Sequence, residues 1–113
     1  MLTEKIQLQK LTEDAVVQHL KRRLHTVTGT NVRWRSFEFD IISTHAENTY
    51  THEVRGTRQQ HKPITEYFPP SKIIHLLTGI ALCFPTAVLL CHLVRVAQNG
   101  ATTISTFRSD ELL

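Results

Sequence analysis

The sequence reads as an α/β domain in which a mixed β-sheet is covered by helices on its faces. Three observations lead there. The apolar period is helical after Leu11 and becomes two near Ser36; two strand-like runs flank a polar tip at residues 45–48; and the apolar stretch 73–94 is broken by Pro85 ahead of a second turn signal, Asn99-Gly100. A chain of 113 residues supports one modest core, so a single domain over 1–113 is expected. Hydrophobic residues make up 41% and charged residues 20%, which excludes a disordered chain. A formal charge of +3 permits an acidic partner such as nucleic acid without requiring one.

Each element follows in order. From Leu11, the residues Val16, Leu20, Leu24 and Val27 share a helical face. Thr12 suits the cap, Glu13 and Asp14 the positive first turn, and Lys21, Arg22 and Arg23 the last turns. "TGTN" at 28–31 is expected to stop this helix, with a short strand near 32–35; residues 1–10 carry no decisive pattern.

From Ser36, alternation puts Phe37, Phe39 and Ile41 on one strand face and Ser36, Glu38, Asp40 and Ile42 on the other. A second strand over 49–55 alternates Tyr50, His52 and Val54 with Thr51, Glu53 and Arg55. A turn about Ala46-Glu47 then sets Asp40 opposite Glu53 and Glu38 opposite Arg55.

The polar connection that follows contains Pro63, Pro69 and Pro70. Ser71 can cap a helix over about 72–83, Pro85 ends it, and "TAVLLCHLVRVA" reads as a buried strand paired through Asn99-Gly100 with "ATTISTF". Because residues 73–94 contain no Asp, Glu, Lys or Arg, a single membrane span over that stretch is the rival reading. Against it stand His75, His92 and Pro85.

Cys83 and Cys91 lie in apolar surroundings, as free buried thiols do in a reducing compartment, and the first residues lack the apolar run of a secretion signal. A cytoplasmic protein is expected. The seven histidines (His19, His25, His45, His52, His61, His75 and His92) show no spacing that suggests zinc.

Two carboxylates opposed across a hairpin repel each other unless a cation lies between them. Mg²⁺ or Mn²⁺ takes oxygen ligands of this kind, so Asp40 and Glu53 are candidate metal ligands, with Arg55 pointing the same way as Glu53. The alternative is a wet hairpin face with a Glu38–Arg55 ion pair and no metal. Arg33, Arg35, Arg58 and Lys62 bracket the hairpin and are candidate contacts to a nucleic-acid backbone.

"FEFDII" and then "EVRGT", after a helix with an early Glu and before a helix and an apolar strand, resemble the PD-(D/E)XK nuclease superfamily over about 12–97. This is the restriction-endonuclease-like fold, a mixed sheet flanked by helices, whose small members include resolvase-like proteins. The resemblance implies that Asp40 and Glu53 bind a catalytic metal, that Arg55 holds the position of the motif Lys, and that Glu13 is a third metal-site acid. It also implies a DNA substrate and allows a homodimer. Two residues depart from the pattern: Phe39 stands where the motif has Pro, and Arg55 is no conservative replacement for Lys, which puts catalysis in doubt. The expected function is a metal-dependent nuclease, impaired if Arg55 cannot serve. The alternatives are a non-catalytic nucleic-acid or protein interaction domain and a single-pass membrane protein.

Overall fold

The computed structural model describes residues 2–58 and 62–113. Its elements are α1 (Leu2–Arg22), β1 (Thr26–Trp34), β2 (Phe37–His45), β3 (Asn48–Thr57), α2 (Ile64–Tyr67), α3 (Pro70–Cys83), β4 (Val88–Val96), β5 (Thr102–Arg108) and a closing 3₁₀ turn, Ser109–Leu112. One five-stranded mixed sheet has the spatial order β1-β2-β3-β4-β5. β3 and β4 run parallel through the α2–α3 crossover, and every other neighbouring pair is antiparallel.

Helices cover both faces. α1 lays Val16 and Leu20 on Ile41, Val54, Val94 and Val96. α3 lays Ile73, Leu76 and Ile80 on Ile42, Leu89, Cys91 and Leu93, with Phe37, Phe39 and Phe68 completing that core. Two glycines allow close approach: a side chain on Gly56 would collide with Thr12 of α1, and one on Gly79 with Phe37.

The first helix differs from its expected course at both ends. It begins at Leu2, so Thr12 is no cap; Thr12 is buried inside the helix and its hydroxyl donates to the Gln9 carbonyl at 3.0 Å. It stops at Arg22, because Leu24 turns left-handed (φ 68°) and its N–H donates to the Lys21 carbonyl while that of His25 donates to the Leu20 carbonyl. Leu24 is therefore exposed and Val27 lies in β1. "TGTN" is strand rather than helix end: Thr26, Val27, Thr28 and Thr30 are β-branched, and this preference outweighs the turn character of Gly29 and Asn31.

The β2–β3 hairpin has the expected register, with Ile41 opposite His52 and His45 opposite Asn48, and Ala46 and Glu47 both have positive φ at its tip. Strict alternation fails earlier in β2. Phe37 and Phe39 belong to the core under α3, whereas Ile41 belongs to the core under α1, so the strand turns about its axis at Asp40.

Stretch 73–94 is not one span. Pro70 sits in the first turn of α3, Pro69 precedes it, Ser71 lies inside the helix, and the chain leaves the helix at Phe84 to enter β4. Among the described residues no helix is long and apolar enough to cross a membrane.

Candidate functional site

The site forms where the sheet opens. β2 and β3 are laddered from the hairpin tip to Ile41 and His52 and no further. Beyond that point β2 stays paired with β1 as far as Phe37, while β3 stays paired with β4 as far as Thr57. Asp40 and Glu53 are the first residues past the fork. The Asp40 carboxylate takes the place of the missing backbone acceptor, receiving the Val54 N–H at 2.8 Å.

A cleft of about 230 Å³ occupies the fork, lined by Glu13, Asp40, Glu53, Arg55, Asn31 and Lys72 among others. α1 closes one side: Gln9 donates to Glu13 Oε2 at 2.7 Å and to the Val54 carbonyl at 3.4 Å. From β1, the left-handed Asn31 reaches Glu13 Oε1 at 3.5 Å. The first turn of α3 contributes Lys72.

Charge in the cleft is tightly balanced. Asp40 and Glu53 are both buried, and their carboxyl groups hydrogen-bond to each other. Arg55 donates to Glu53 Oε1 at 2.7 Å and lies 3.7 Å from Asp40 Oδ2. Burial, then the hydrogen bond and charge of Glu53, push the Asp40 carboxyl up to about 8; the Val54 N–H and Arg55 only partly oppose this. Near neutral pH one proton is therefore retained between the two carboxyl groups. Burial also raises Glu13, against the hydrogen bond from Gln9.

The fork brings together the three acids and the arginine singled out in the sequence, and it separates the rest. Glu38 lines the same cleft but does not pair with Arg55; outside the β2–β3 ladder it turns to Arg33 on β1, at 3.4 Å. Arg35 stacks over Trp34, its guanidinium 4.7 Å from the ring centre. Arg58 and Lys62 line a second, larger cleft. Gln9, Asn31 and Lys72 escaped sequence reasoning. The spacing of Gln9 and Glu13, one helical turn apart, was a usable signal; Asn31 and Lys72 reach the cleft only through the tertiary fold.

The histidines hold a second surprise. Strand pairing assembles a hydrogen-bonded chain from His25 Nδ1 to Ser43 Oγ (2.9 Å), Ser43 Oγ to His52 Nε2 (2.7 Å), His52 Nδ1 to His92 Nε2 (2.7 Å) and His92 Nδ1 to Thr106 Oγ1 (2.9 Å). His45 stacks on His25. The chain runs across the face of the sheet that packs on α1, opposite to Glu53. Burial pushes His92 down to about 4 and His52 down to about 2, so both rings are neutral. His61 lies outside the described residues. Cys91 is opposite Glu53 in the β3–β4 register, and burial lifts its thiol to about 12, which makes it a poor nucleophile.

No protein-family model matches the chain, and no curated protein matches it.

Proposed function

We propose that the chain is a restriction-endonuclease-like domain that hydrolyses phosphodiester bonds of nucleic acid with the help of a divalent cation, Mg²⁺ or Mn²⁺. The observation that carries this reading is the fork: it gathers Glu13, Asp40 and Glu53 with Arg55 and Lys72 in one open cleft, at a place where the sheet ladder ends. The element succession, a helix, three antiparallel strands, two helices, a strand parallel to β3 and a last antiparallel strand, supports that reading.

The donor chemistry fits the cation. Among the described residues no set of three or more acidic, histidine or cysteine side chains is ready to hold a metal. Mg²⁺ commonly takes only one or two carboxylates and keeps water in its remaining positions. Asp40 and Glu53 supply two oxygen donors, and a pair of acids that must share a proton when alone is one that a cation relieves. Glu13 lines the same cleft and would supply a third carboxylate. When bound, the cation would activate water and neutralise charge developing on the phosphate.

The chain's own residues divide the remaining work. Asp40 would lose its proton on serving as a ligand. Arg55 neutralises Glu53 in the metal-free protein and can turn its planar fork to a phosphate oxygen. Its hold on Glu53 makes it a poor substitute for the motif Lys. Lys72, the primary amine on the cleft wall, is the better group to orient an attacking water.

Calorimetric titration with Mn²⁺ tests the site, and cleavage of plasmid DNA tests the activity. Binding in the parent should disappear in Asp40→Asn, and cleavage should disappear in Glu53→Gln while melting stays cooperative. Cleavage by Glu53→Gln would overturn the assignment. A second reading, non-catalytic nucleic-acid binding on the same fold, is favoured by one observation: Arg55 and the shared proton already neutralise the pair without a cation. DNA binding that needs no metal and leads to no cleavage would select it.

A further inference from the structure

We infer that the larger cleft beside the acid site accepts an unpaired nucleotide of the substrate strand. The inference rests on the nuclease reading and names the form of strand that site takes. The cleft measures about 710 Å³, within the range of pockets that enclose a nucleotide-sized ligand. It lies between the N-terminal half of α1, the end of β3 and α2, and it is continuous in sequence with the acid cleft. Arg55 lines the acid cleft and Gly56 and Thr57 the larger one, while on α1 Leu8 and Gln9 divide in the same way.

Its walls have the two features that unpaired nucleic acid requires. Lys5 on α1 and Arg58 and Lys62 from the connection between β3 and α2 place three cations around it, against the single acid Glu4. Such cations hold phosphates without regard to sequence. Tyr67 supplies an aromatic surface that is held in place: the ring packs on the core under α3, and its hydroxyl donates to Thr57 Oγ1 at 3.2 Å. A fixed ring loses little freedom when a base stacks on it. A base within a duplex is already stacked and paired, so only an unpaired one can offer its face to Tyr67.

Fluorescence anisotropy in EDTA, with labelled dT12 and a blunt 12-base-pair duplex as probes, tests the inference. The parent should bind dT12 more tightly than the duplex. Tyr67→Leu should weaken dT12 roughly tenfold, the loss of one stacked base, and change duplex binding less than twofold. Tyr67→Phe, which keeps the ring, should stay within twofold of the parent on both probes. Unchanged dT12 affinity in a folded Tyr67→Leu protein, or equal losses on both probes, would overturn the inference and leave the nuclease reading standing. If Tyr67→Leu fails to fold, the exposed Lys62→Glu decides: it should weaken dT12 severalfold, and unchanged affinity would overturn the pocket. A parent that binds neither probe overturns the inference, and the nuclease reading is then decided by the Mn²⁺ titration and plasmid cleavage alone.

Discussion

Replacing Asp40 by Asn should make the metal-free protein more stable at neutral pH, by an amount that shrinks as the pH falls. An amide reproduces the protonated carboxyl: Oδ1 can accept the Val54 N–H and Nδ2 can donate to Glu53, as the shared proton does in the parent. The parent must take up a proton to fold, because its carboxyl titrates near 8 when folded against 3.8 ordinarily. A folded value above the unfolded one means that the group favours folding below the unfolded value and that this contribution is lost as pH rises towards 8. At 1.36 kcal/mol per pH unit, the handicap is about 4 kcal/mol at pH 7 and about 1.5 kcal/mol at pH 5. The gap between variant and parent should therefore narrow by about 2.5 kcal/mol over those two units. Groups distant from Asp40 titrate in both proteins and cancel in the difference. Urea unfolding followed by circular dichroism in EDTA, at pH 5, 6, 7 and 8, gives the gap directly. A gap that is the same at pH 5 and pH 7 would refute the shared proton.

Four further outcomes can be checked. In the Asp40→Asn background, which lacks the carboxyl's opposing trend, stability should fall as pH drops from 6.5 towards 4, by about 2 kcal/mol at pH 5 from His92 alone, because the unfolded ring takes a proton that the buried one refuses; the same urea series reads it. Leu24→Gly should stabilise the protein by about 1 kcal/mol in thermal or urea unfolding, since Leu24 is left-handed and 81% exposed. Gly56→Ala should cost about 1–3 kcal/mol by the same measurement, because the new methyl meets Thr12 and pushes α1 from β3. Lys72→Met should lower single-turnover DNA cleavage at least a hundredfold, the scale of one well-placed catalytic group, whereas Arg55→Lys should change it less.

The parts of this molecule that are legible in the sequence are those set by local periodicity and turn length. A two-residue tip at Ala46-Glu47 fixes which residues face each other as far as Ile41 and His52, and counting outward from it brings Asp40 and Glu53 to the point where the ladder ends. What stays hidden depends on contacts between distant segments. The fork that redirects Glu38 to Arg33 arises because β2 and β3 each keep a different neighbour, which alternation within a strand cannot reveal. The start of α1 is obscured because its early residues bury little; Ile6 is 66% exposed. The apolar run 73–94 looks like a span because two elements, α3 and β4, are both buried in one core and meet at Phe84 and Pro85. His52 and His92 are 40 residues apart in sequence, and no ligand spacing would join them.

β3 carries both polar systems on its two faces, and their hydrogen-bond inventories separate structure from site. A neutral imidazole has one donor and one acceptor, and so, used once each way, does a hydroxyl. The chain His25–Ser43–His52–His92–Thr106 can therefore run in a single direction with every link made and no net charge. It needs nothing from outside, which is the signature of a network that holds strands in register. The acids on the other side cannot close in that way. Carboxylates only accept, and Glu13, Asp40 and Glu53 present six oxygens to a few donors, so the fold must borrow a proton for Asp40 and a guanidinium for Glu53. Burying such a set against an open cleft lowers stability unless something more positive enters. On the nuclease reading proposed above, a cation bound by Asp40 and Glu53 would resolve that imbalance and would free Arg55 to contact a phosphate.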